Sequence, residues 1–176
     1  MKRMMVSLMV LGGSAGAFQA AQPATPTQSS AKTPLVRVSL TQDQIKTTTV
    51  NGKAVETVIP SPKSVLPDDV LREEVTAVNV SGKLVKNPTI SVPVPKGTTF
   101  VGSATAGNDR WNTQYSIDNG KTYAASPQKS VTTTENGKSV TKQVAALPSE
   151  YTNVRWAIGT LMIDETLKFS FLVKVN

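Results

Sequence analysis

Near the C-terminus of this chain the apolar residues fall on every second position. Val154, Trp156 and Ile158 are followed by Phe169, Phe171, Val173 and Val175, and a period of two puts each set on one face of an extended strand. A strand with one apolar face needs a second apolar surface over it, so the pattern requires two sheets packed face to face. Partner strands come from residues 67–101, which read as two short strands joined by a turn at Gly82 and closed by Pro95-Lys96-Gly97. Val36, Val38 and Leu40 alternate with Arg37 and Ser39 and predict a further strand with one dry face. Helical periodicity is nearly absent. The one candidate, Thr41 to Lys46, is too short to stand alone and reads as a turn. The expected fold class is all-β, with Val75, Phe100, Trp156, Ile158, Phe169, Phe171 and Val173 in the core.

Three Asn-Gly pairs, at Asn51-Gly52, Asn119-Gly120 and Asn136-Gly137, sit between β-branched residues. Both residue types accept the positive φ that a type I′ turn demands, so each pair predicts a hairpin. With the strands above, the count comes to about nine to eleven. Pro88, Pro93 and Pro95 bracket Thr89 to Val94. A proline cannot donate to a ladder, which places that strand at a sheet edge or on a bulge.

The chain has no histidine and no cysteine. Ser-His-Asp and Cys-His nucleophilic schemes, His-rich metal sites and thiol redox chemistry are therefore out of reach. Asp68-Asp69 and Glu73-Glu74 are adjacent pairs. Neighbouring strand residues point to opposite faces, so neither pair converges as a general acid and base would, and all four are expected on solvated exteriors. Asp164-Glu165 is expected in the turn before the last strand. Ser116-Ile117-Asp118-Asn119-Gly120-Lys121-Thr122-Tyr123 is similar to the Asp-box of sialidase-type β-propellers. The similarity implies a turn whose Asp carboxylate accepts backbone N–H bonds with the aromatic packed behind it. A single copy in a chain this short implies a stapled hairpin, not a glycosidase. Asn79-Val80-Ser81 fits a glycosylation acceptor. A Lys-Asn isopeptide crosslink would need a lysine, an asparagine and a carboxylate meeting inside the core. No catalytic residue, cofactor or metal site is expected.

Several of these residues also carry a resemblance. Pro67, Asp69, Asn79, Gly82, Pro95, Gly97, Phe100, Val101, Trp156 and the final alternating strand match the conserved-repeat module of bacterial surface proteins catalogued as domain of unknown function eleven. That family implies an immunoglobulin-like β-sandwich over roughly the C-terminal two-thirds of the chain, here with extra hairpins. Its motifs concern turns and packing and bring no catalytic residue with them. Asp68 stands where the family prefers Gly, Glu73 where it often has Tyr, and Val92 where it often has Asp.

Lys2 and Arg3 precede an apolar run from Met4 to Leu11 and small residues ending at Ala17, the order of an export signal. Residues 1–17 are expected to be a signal peptide, with cleavage as late as Ala21 as the alternative. Residues 18–34, rich in Pro, Ala, Thr, Gln and Ser, are expected to be a flexible linker, and residues 35–176 a single domain. The apolar run falls short of the about 20 residues that span a bilayer, so no transmembrane segment is expected after signal removal. An exported chain without cysteine fits a bacterial periplasm, outer envelope or cell surface.

Losing Lys2 and Arg3 leaves 17 basic against 12 acidic residues, a net of +5. The lysines are scattered instead of forming a run interleaved with aromatics, so no nucleic acid partner is expected. A weak attraction to anionic envelope polymers is compatible with the charge. The expected function is a non-enzymatic structural or interaction module, an accessory subunit of a surface assembly. The alternative is a soluble ligand-binding or hydrolytic protein with a pocket between hairpin loops. Arg110 and Trp111, in the connection before the Asp-box, are taken as the partner contact, because Trp and Arg dominate interface hot spots. The competing reading makes Trp111 a lid on the core.

Overall fold

The computed structural model describes residues 35–135 and 138–176. The expected signal peptide, the linker and the Asn136-Gly137 turn lie outside them. The described residues form β1 (Val36–Val50), β2 (Lys53–Pro60), β3 (Val70–Asn79), β4 (Val85–Lys86), β5 (Thr89–Pro93), β6 (Thr98–Gly102), β7 (Trp111–Ser116), β8 (Gln128–Glu135), β9 (Lys138–Ala145), β10 (Asn153–Ile158), β11 (Thr160–Leu161) and β12 (Thr166–Val175). A five-stranded sheet runs β2-β1-β3-β12-β6 and a three-stranded sheet runs β5-β10-β7. Every pairing is antiparallel. The result is an all-β, immunoglobulin-like sandwich.

Its core forms where the inner faces of the two sheets meet. Alternate residues of β3, β10 and β12 are buried, and every core residue named from the sequence is among them or on β6. The Trp156 ring of the smaller sheet stacks on Phe169 of the larger, centroids 4.9 Å apart, and its indole N–H donates to Thr105 O at 3.0 Å. Phe100, Tyr115 and Tyr151 extend the cluster with centroid spacings of 4.5 to 5.6 Å. β5 is an edge strand, as its prolines require.

Several expectations are corrected. Thr41 to Lys46 is no turn: it continues β1 as a strand of 15 residues, because Gln42 and Asp43 find partners across the ladder in Glu73 and Arg72. Val38 and Leu40 do lie on the inner face, opposite Ala77 and Val75, yet they remain 50 % and 53 % exposed. The smaller sheet contributes only three strands to the core, and β1 adds to that core only a half-buried Val36. The face predicted to be dry is thus oriented correctly but left uncovered. Asn119 and Gly120 take the expected positive φ of 58° and 81°, but the Asp-box closes a compact loop with one isolated bridge, Tyr115 to Ala124, in place of a hairpin. Strands among the described residues number twelve, two of them only two residues long.

Glu73 departs furthest from expectation. It is 2 % exposed on the inner face of β3, while Glu74 faces out and accepts from Lys168 at 2.8 Å. Gln42 donates to Glu73 Oε1, and burial nevertheless pushes the Glu73 carboxyl above its usual value of 4.5, the Gln42 bond only partly offsetting this. Asn79 is fully buried at the end of the same strand. Its amide donates to Lys83 O, Leu161 O and Met162 O at 2.7, 3.2 and 2.7 Å, and its Oδ1 accepts from Ser81 N and Oγ at 3.0 and 2.7 Å. This clasp holds the β4–β11 pair against β3 and occupies the nitrogen that glycosylation would need. No lysine is buried among the described residues, so the ingredients of an isopeptide crosslink do not meet there.

Candidate functional site

Arg110 and Trp111 lie where the chain turns into β7. Trp111 begins the strand and is not a loop residue. Asn108 builds the turn, its Oδ1 accepting from Arg110 N and Trp111 N at 2.8 and 3.1 Å while its own N–H donates to Trp111 O at 2.8 Å. A side chain at Gly107 would press to 3.2 Å from Trp111 O. The indole is half-buried: it meets Phe169 edge-on, centroids 5.2 Å apart, and its N–H donates to Ala106 O at 2.9 Å.

Arg110 points outward and donates to Glu165 Oε1 at 2.7 Å. Glu165 also accepts from Met162 N at 2.8 Å. That backbone bond, with help from Arg110, holds the Glu165 carboxyl below its usual value. The expected turn at Asp164-Glu165 is therefore also one wall of a depression of about 380 Å³ lined by Asp109, Arg110, Gly159, Thr160, Met162 and Glu165. A second hollow of about 270 Å³ adjoins it over Trp111, Asn112 and Ile158. Leu84, Met162 and Ile163 are exposed at this end, Leu84 and Met162 each directly flanking the paired residues Val85 and Leu161. Shallow hollows with apolar side chains, an arginine and a tryptophan are what a partner surface offers.

The Asp-box carboxylate accepts the backbone N–H bonds its residues imply. Asp118 Oδ1 accepts from Ser116 Oγ, Lys121 N and Thr122 N at 2.7, 3.1 and 2.9 Å, and Oδ2 from Thr122 Oγ1 at 2.6 Å. The Thr122 hydroxyl first, then the Thr122 N–H and the Ser116 hydroxyl, hold the carboxyl far below the usual range. Tyr123 crosses onto the outer face of the smaller sheet, where the Arg155 guanidinium sits 3.3 Å above its ring. A larger cleft of about 550 Å³ opens between residues 93–98 and 149–153 beside Asn119. Its carboxylate, Glu150, is held by Lys129 and by Leu147 N, which lower its pKa.

The sequence carries one further signal, an internal repeat. Residues 47–55, TTTVNGKAV, and 132–140, TTTENGKSV, agree at seven of nine positions with a constant offset. The two segments also share a register: Thr48 faces Val55 in one, and Thr133 faces Val140 in the other. Both belong to two-stranded arms. β3 pairs with β1 only as far as Ile45, beyond which residues 46–58 are exposed throughout, and β8 and β9 pair only with each other. Comparing the flanks of the three Asn-Gly pairs with one another would have found the repeat.

The carboxylates give a pH profile. Glu73 binds its proton more tightly when folded, so its effect on stability is unfavourable above pH 4.5 and grows as pH rises through its folded pKa. Asp118, Glu150 and Glu165 act in the opposite sense, contributing stability above their usual values of 3.8 and 4.5 that is lost as pH falls. Glu73→Gln is expected to raise the melting temperature at about pH 8 and leave the acid limb unchanged. Melting curves across the range check this, and an unchanged neutral limb would place the charge of Glu73 elsewhere.

Among the described residues no three carboxylates converge on a common point, and no helix is long and apolar enough to cross a membrane. No protein-family model, curated protein or solved structure matches the chain.

Proposed function

We propose that this chain is a non-enzymatic, exported structural or interaction module of a bacterial envelope, an accessory subunit of a surface assembly related to the conserved-repeat modules it resembles. The observation that carries the reading is the pair of arms with nearly the same sequence. An isolated two-stranded ribbon is marginal in water, and each arm leaves strand edges open to another chain. Arg110, Trp111 and the apolar side chains near them supply a separate contact surface of ordinary interface composition. The cleft beside Asn119 favours the second reading, a ligand-binding protein, but its carboxylate, Glu150, is engaged by Lys129 and Leu147 N.

The test combines location and contact. Cells producing the chain are fractionated, the N-terminus of the recovered protein is sequenced, and photo-crosslinkers are placed at Lys53 and at Met162, which is exposed in the depression beside Arg110. The expected result is a chain lacking residues 1–17 to 1–21 in the envelope fraction, crosslinked to a discrete protein. Recovery from the cytoplasm with Met1-Lys2 intact, or no crosslink from either position, sinks the reading.

Variants at the contact surface separate packing from binding. Arg110→Ala removes an exposed ion pair and is expected to change stability by less than about 1 kcal/mol while weakening the crosslink. Trp111→Ala is expected to cost about 1 to 2 kcal/mol through its lost contact with Phe169. Denaturant titration of both variants checks the ranking.

A further inference from the structure

Asn51-Gly52 and Asn119-Gly120 both take positive φ at each residue. Asn51 and Gly52 have φ of 50° and 73°, and Asn119 and Gly120 have φ of 58° and 81°. They differ in what holds the glycine nitrogen. Gly120 N donates to Ser116 Oγ at 2.9 Å, and Asn119 N donates to Thr152 Oγ1 at 3.0 Å. A side chain at Gly120 would meet Tyr123 OH at 2.9 Å, whereas one at Gly52 would meet nothing within 4 Å. Among the described residues nothing accepts a hydrogen bond from the Gly52 N–H, and both Asn51 and Gly52 are exposed at the end of an arm.

We infer that Asn51 is a site of spontaneous backbone modification and that the Asp-box protects Asn119 from the same chemistry. Solvent base takes the proton from the Gly52 nitrogen, which attacks Cγ of Asn51. The new C–N bond closes a five-membered succinimide as the Cγ–Nδ2 bond breaks, and the amide nitrogen leaves as ammonia after taking a proton from solvent. Water then adds to the imide. Opening at Cγ gives aspartate, and opening at the backbone carbonyl gives isoaspartate. One water is consumed, one ammonia is released, and nothing is oxidised.

At Gly120 the same attack requires the nitrogen to leave Ser116 Oγ and the loop to open around Asp118, which Lys121, Thr122 and Ser116 hold closed. The product at Asn51 carries a new carboxylate beside Lys53 and, as isoaspartate, one extra backbone carbon in a turn that joins Val50 to Lys53. That carbon cannot be accommodated in a two-residue turn without disturbing the arm. The disturbance ends at Ile45, where β3 takes over the pairing, so the sandwich melts as before.

The folded protein is incubated at mildly alkaline pH and mapped by peptide mass spectrometry, with isoaspartate identified by enzymatic methylation. Asn51 is expected to convert at least about tenfold faster than Asn119, the ratio implied by the hydrogen bonds that must break at the protected turn. In concentrated urea the two rates should converge, since both are then plain Asn-Gly pairs. Ser116→Ala should raise the rate at Asn119 in the folded chain and leave Asn51 alone. Equal rates in the folded protein, faster conversion at Asn119, or a difference that persists in urea would overturn the inference.

Discussion

Trp156→Ala is expected to lower the free energy of unfolding by about 3 to 5 kcal/mol. The side chain is fully buried and lies flat on Phe169 at 4.9 Å, so truncation removes one layer of an inter-sheet stack and leaves a ring-sized void. The lost indole bond matters less. Thr105 O, which accepts it, keeps a second donor in Thr113 Oγ1 at 2.8 Å. A domain of this size has a total stability of about 5 to 15 kcal/mol, so the variant should melt about 10 °C lower or more. Thermal and urea denaturation check this, and an unchanged midpoint would mean that Trp156 does not sit between the sheets.

Asn79→Ala should cost about 2 to 4 kcal/mol even though it removes a small polar side chain. Three carbonyls from two different segments converge on one amide. Lys83 O keeps Ser81 Oγ at 2.9 Å, and Met162 O keeps a long bond from Glu165 N at 3.3 Å. Leu161 lies in the β4–β11 ladder, so the remaining loss falls on the clasp between β3 and that pair. Asn79→Asp is the sharper probe, since an ionised carboxylate faces the same carbonyls with no proton to donate. It should be at least as destabilising as alanine near neutrality and recover as acid protonates it. Urea titration of both variants at neutral and acid pH supplies the test. An Asp variant as stable as the parent near neutrality would show that the amide does not hold the clasp.

The site was legible to an uneven degree. Arg110 and Trp111 stand out by residue type, and they do flank a surface hollow. The sequence could not say that Trp111 opens a strand and turns one edge toward Phe169, because that depends on where β12 lies. Asp118 was legible in full, since every donor to it comes from within six residues of its own position. The repeated arms were legible too, but as a comparison between distant segments and not as a local pattern.

Local spacing determined the core strands, the Asn51-Gly52 hairpin and the face each of their side chains takes, but not the strand over Thr41 to Lys46 or the compact loop at Asn119-Gly120. Alternation put Trp156 and Phe169 inward, Asn-Gly turned β1 into β2, and proline kept β5 at an edge. These follow from backbone geometry within a few residues, which is why the sequence alone could state them. What covers a face is a different question, and only the tertiary structure answered it. Val38 and Leu40 stay exposed although their pattern matches that of buried strands, and Glu73 is buried although its type predicts solvent. Burial depends on which strands lie opposite. That is set by the number of strands in the second sheet and by pairings between residues far apart in the chain, as in β3 with β12, and no short-range pattern encodes it.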